Sequence, residues 1–169
     1  TPVKTFVVGP TPYDRPSLIA FGRFRETLIA VPGANLRLVV LGASARIPVD
    51  RIQHWIENAA MGVTRTYGRF PIPSARIVVV PNAQGNEPVP WAFVQRGGGP
   101  SAQFFINHRL PDADLIADWT LFHELAHQVA FAPGDTTFNE SFATAVERIG
   151  GARWLERHAT SELREQVAR

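Results

Sequence analysis

The sequence predicts an α+β fold, a small sheet packed on amphipathic helices. Two observations carry this expectation. Short runs rich in valine, isoleucine and phenylalanine recur at 35–41, 75–80, 89–96 and 101–107, most of them bounded by glycine or proline, which is strand patterning. Apolar residues fall at helical spacing over 48–67 and 114–131, and a further helical pattern opens after Asp135-Thr136-Thr137. The chain has 169 residues, 45% hydrophobic and 19% charged, the size and balance of one globular domain with a real core.

In chain order, Val3 to Val8 can form a strand, and Pro10, Pro12 and Pro16 then break the chain into loop. The stretch 18–31 holds two short strands or a strand and a turn. Asn35 to Leu41 is a strand between Gly33 and Gly42. Pro48-Val49-Asp50 opens a helix to Tyr67, whose apolar face is Ile52, Trp55, Ile56, Ala59, Ala60 and Val63, with His54 on the surface side. Ala75 to Val80 is a buried strand between Pro73 and Pro81. Residues 82–90 are turn formers, Val89 to Arg96 is a strand, and Gly97 to Pro100 make a turn. Ser101 to Asn107 is the strand directly before the helix at 114–131. Pro111-Asp112 starts that helix and Pro133-Gly134 stops it.

Charge and composition exclude several classes. The net charge is only +2, the basic residues are scattered arginines with Lys4 the one lysine, and so no case for nucleic acid arises. There is no cysteine, hence no disulfide framework and no thiolate ligand or nucleophile. No apolar run approaches a membrane span, and no internal repeat is present.

The chemistry concentrates in Phe122-His123-Glu124-Leu125-Ala126-His127, an H-E-x-x-H run inside the second helical pattern. Positions four apart share a helix face, so His123 and His127 can each give a nitrogen to one zinc ion. Glu124 is then placed to take a proton from a metal-activated water, as general base and not as ligand. Zinc needs a third protein ligand. Glu140, in Phe138-Asn139-Glu140-Ser141-Phe142-Ala143 on the returning helix, is the best candidate. Singly, each of these residues would read as core or surface; the helical context and the downstream N-E-x-F-A make the cluster.

These residues carry a resemblance. H-E-x-x-H followed by a glutamate in an N-E-x-x-A setting resembles the gluzincin metallopeptidases, the group containing thermolysin and aminopeptidase N. From Trp119 to Leu155, with F-H-E-L-A-H-Q, D-T-T-F-N-E-S-F-A-T-A-V-E-R-I-G and R-W-L, the chain looks more narrowly like the bacterial putative aminopeptidase family. Upstream, Gly68-Arg69-Phe70-Pro71 and Gly97-Gly98-Gly99 look more like another branch of exported gluzincin-like proteins.

The resemblance implies a single thermolysin-like (zincin) catalytic domain over residues 1–169, with a small twisted, mostly antiparallel sheet packed on zinc-binding helices. It implies one zinc per chain, a peptide or protein substrate, and an exported or periplasmic bacterial protein. The start at Thr1-Pro2 reads as a mature or trimmed form, or as a boundary chosen for the sequence. In this group the strand before the zinc helix often lies at the sheet edge and pairs with the substrate backbone. An acid one turn past the ligand glutamate orients a ligand histidine; here that position is Thr144. Glu147, two turns on, can substitute, or else pair with Arg148 or Arg153.

The oxyanion donor in this group is a tyrosine or histidine. No tyrosine follows Glu140; Tyr13 and Tyr67 precede it, His158 lies downstream and His108 just before the helix. The narrower family tends to have tyrosine where this chain has Phe131. An incomplete domain at the C-terminus, a partner chain, or a zinc site of little activity would each explain the shortfall. An aminopeptidase also needs an acid for the substrate's α-ammonium, with Glu87, Asp112 and Asp135 as candidates. Two readings follow: a zinc peptidase, or a metal-binding pseudoenzyme or interaction domain that keeps the ligands.

Overall fold

The computed structural model describes residues 20, 24–42, 47–95, 100–110, 120–127 and 130–158. Five strands and three helices fall within them: β1 (Glu26–Val31), β2 (Ala34–Val40), α1 (Val49–Tyr67), β3 (Ser74–Asn82), β4 (Trp91–Gln95), β5 (Ser101–Asn107), α2 (Thr120–Ala126) and α3 (Thr136–His158). The α+β expectation is met. The expected strand at 3–8, the glycine turn at 97–99 and the start of the metal helix at 111–112 lie outside the described residues.

The strands form one sheet in the order β1-β2-β3-β5-β4. β1 pairs antiparallel with β2 through the Pro32-Gly33 turn, where Gly33 takes φ +89, the left-handed region that glycine enters without strain. That turn docks on the segment just after α1: Phe70 N donates to Pro32 O at 2.9 Å. β2 and β3 are parallel neighbours joined by α1, because a parallel pair needs a long crossover. β3 and β5 are also parallel, and β4 folds back antiparallel on the outer side of β5.

Two expectations are corrected here. The sheet is mixed, with two parallel and two antiparallel pairs, and not mostly antiparallel. The strand before the metal helix, β5, is interior; among the described residues the edge strand on that side is β4. Strand patterning encodes which residues face inward, but not which strand lies beside which.

The core lies between one sheet face and the helices. Alternate residues Leu36 and Leu38 of β2, Ile77 and Val79 of β3, and Ala102, Phe104 and Ile106 of β5 are buried. The helical face expected from the sequence, from Ile52 to Val63, is wholly buried against them, and Trp55 meets Phe104 edge to face at 5.6 Å. Full burial of a side chain such as Phe104 contributes about 1.5–3 kcal/mol. α1 ends at Gly68, φ +80, a left-handed cap. His54 is exposed beside Glu57, as its helical position indicates. Among the described residues no helix is long and apolar enough to cross a membrane.

Candidate metal centre

The metal helix is seated by its own apolar side. Phe122, only 3% exposed, sits between Gly62 of α1 and Gly150 of α3; a Cβ on either glycine would overlap the ring. Leu125 and Ala126 are buried beside it. This anchoring leaves His123, Glu124 and His127 on the open side of α2, where they line a cleft.

The connection to α3 follows from local chemistry. Asp135 N donates to Ala132 O at 3.1 Å, closing a turn whose middle residues are Pro133 and Gly134. Proline suits the second turn position, and Gly134, φ +82, supplies the left-handed third. Asp135 Oδ1 accepts from Phe138 N at 2.8 Å, an N-cap, and Asn139 N donates to Asp135 O at 3.2 Å as the helix starts. The chain therefore turns back and packs α3 on α2.

That return brings Glu140 over the two histidines. Their rings lie 4.9 Å apart between centroids, inclined by 80°. Glu140 Oε2 is 3.1 Å from Nε2 of His123, and its Oε1 is 3.7 Å from Nε2 of His127. One ligand atom from each of His123, His127 and Glu140 lies within 4.8 Å of the others, so the three could hold one metal ion. Two imidazole nitrogens and a carboxylate oxygen suit a first-row divalent cation.

The other ring nitrogen of His123 is also engaged: Nδ1 lies 3.1 Å from Oε2 of Glu147. Of the two roles open to Glu147, the structure thus shows the one on the histidine. Glu124 has its carboxyl pushed up to about 7, chiefly by burial, with His123 pulling it down and Glu140 pushing it up. A cation on the neighbouring ligands would favour its charged form.

Residues 105–169 match the family model described as "Putative aminopeptidase". The matched stretch carries His123, Glu124, His127, Glu140 and Glu147. No curated protein matches the chain.

The remaining candidates separate. Phe131 lines the cleft, 41% exposed. Tyr67 instead packs against the small cluster of Ala126, Ala143 and Val146, where burial pushes its phenol up. His108 and Glu87 are not among the described residues lining the cleft, and Asp135 spends a carboxylate oxygen on the cap of α3. Asp112 and the side chain of His158 lie outside the described residues. Sequence reading assigned no role to the cleft wall formed by Ala92, Phe93 and Val94 of β4, nor to Asn139. For Asn139 a signal existed: a polar residue inside the third helical pattern, next to the candidate ligand.

Proposed function

We propose that this chain is a zinc-dependent peptidase with Glu124 as its general base. One observation carries the reading. Three ligand atoms lie within 4.8 Å of one another, with a carboxylate on the residue next to the first histidine and β4, the outer strand among the described residues, walling the same cleft. Two histidines and one glutamate are the donor set of a catalytic zinc whose fourth position is left to water, whereas a structural zinc is closed by a fourth protein ligand. When bound, the ion would polarise that water and lower its pKa to about 7.

The chain's own residues do the rest. His123, His127 and Glu140 would hold the ion, with His123 oriented by Glu147. Glu124 accepts a proton from the attacking water and returns it to the leaving amine. Burial raises the proton affinity of Glu124, and a bound cation would favour its charged, proton-accepting form. Among the described residues no strand pairs with the outer side of β4, which could offer backbone groups to an extended peptide. The family description extends the reading to removal of N-terminal residues, and an exported or periplasmic setting is part of the same proposal.

Phe131 favours a second reading, a metal-binding domain without turnover, because its ring lines the cleft with no hydroxyl to offer. The deciding experiment is metal analysis with a panel of fluorogenic peptides and aminoacyl substrates. Turnover lost to a chelator and restored by zinc supports the peptidase. Full zinc occupancy with no turnover on any substrate supports the second reading. A protein that takes up no metal sinks both.

A further inference from the structure

We infer that Asn139 is a positioning residue for the metal centre, acting through Glu140; the inference rests on the metal reading above. Asn139 is 5% exposed and immediately precedes Glu140 on α3. Its Nδ2 donates to Ala132 O at 3.0 Å, and its Oδ1 accepts from Ala132 N at 2.8 Å. The carboxamide thus pairs with both backbone groups of one residue, as a neighbouring strand would. Ala132 lies in the segment that leaves the metal helix, just after Phe131.

The clamp is not what makes the turn. The Asp135–Ala132 bond, the Pro133-Gly134 pair and the Asp135 cap already specify the turn and the helix start. What Asn139 adds is a direct tie between the chain leaving His127 and the first turn of the helix that bears Glu140. Rotating or sliding α3 would break both bonds together. A metal-ligand set must be held to within about 0.5 Å, and such precision comes from surrounding hydrogen bonds. The chemistry is specific to asparagine at this site. A leucine would leave the Ala132 N–H without its partner, and an aspartate would set a carboxylate against the Ala132 carbonyl.

The test compares wild type, Asn139→Ala and Asp135→Ala. Three quantities are read: zinc affinity by chelator competition, the visible spectrum of the cobalt-loaded protein, and kcat against KM. Asn139→Ala is expected to weaken zinc about tenfold or more, the scale seen when outer partners of a metal site are removed. It should also shift the cobalt bands and lower kcat with KM little changed. Asp135→Ala removes the cap of the same helix, so it should lower Tm while keeping zinc affinity and the cobalt spectrum. Wild-type affinity and spectrum in Asn139→Ala overturn the inference, as do equal losses in Asp135→Ala, which would make Asn139 merely structural. If Asn139→Ala does not fold, Asn139→Gln, which keeps the amide but displaces it by one methylene, is read against the same two outcomes. A wild-type protein that takes up neither zinc nor cobalt fails the metal reading itself, and this inference with it.

Discussion

Oε2 of Glu147 lies 3.1 Å from Nδ1 of His123, while Nε2 of the same ring lies 3.1 Å from Glu140. The two nitrogens are divided between the Glu147 carboxylate and that of the candidate ligand Glu140. Removing the first, by Glu147→Ala, should lower zinc affinity by about 10–100-fold without removing a ligand. Chelator competition measures it; unchanged affinity would reduce the contact to a surface ion pair.

The ligand set itself is tested by metal content. Purified protein should hold about one zinc per chain, and His123→Ala, His127→Ala and Glu140→Ala should each lose it, because three protein ligands leave none to spare. Stoichiometric zinc in all three variants would contradict the assignment.

Glu124→Gln keeps shape and removes the proton acceptor. It should retain zinc and lose turnover by about 10²–10⁴-fold if base catalysis operates. The same residue predicts a pH effect on the metal-free protein. Its carboxyl is raised from 4.5 to about 7 on folding, so the folded state holds this proton more tightly than the unfolded chain. The stabilising contribution is therefore full below about 4.5 and is lost as pH rises through about 7. Urea midpoints of chelated protein across that range should fall for this reason in wild type and fall less in Glu124→Gln.

Phe131 stands four residues after His127 and lines the cleft. A phenol there would offer an oxyanion donor, and one such donor is worth about 10²–10³ in rate. Phe131→Tyr should raise peptidase turnover by part of that factor with zinc content unchanged. Tyr67→Phe should leave turnover as it is, because Tyr67 packs against Ala126, Ala143 and Val146. A large loss in Tyr67→Phe would reverse the assignment.

The seat of α2 admits no methyl group at Gly62. Gly62→Ala should cost about 1–3 kcal/mol by overpacking against Phe122, reduced by up to about 1 kcal/mol from better helix propensity. Phe122→Leu in the same chain should recover part of the loss. Denaturant unfolding of the single and double variants measures both.

Periodicity alone determined the buried face of α1, from Ile52 to Val63, since a helix repeats every 3.6 residues and neighbours in sequence decide it. The turn at Pro133-Gly134 was equally legible, because turn chemistry acts over four residues, although α2 ends earlier, at Ala126, and the cap at Asp135 emerged only with the structure. The pairing of His123 with His127 on one helix face was legible too. Glu140 was legible as a candidate only, since its approach depends on how α3 packs back on α2.

Other features only the tertiary structure decided. The strand runs at 75–80 and 101–107 look alike whether their neighbours are parallel or antiparallel, and β3 pairs with β5 although β4 is nearer to it in the chain. The use of Glu147 on His123, the withdrawal of Tyr67 from the cleft, the fit of Phe122 between Gly62 and Gly150 and the Asn139–Ala132 clamp all join residues whose contact is set by helix packing. A side chain's type states what it can bind; only the packed backbone states which groups come within a hydrogen bond's reach of it.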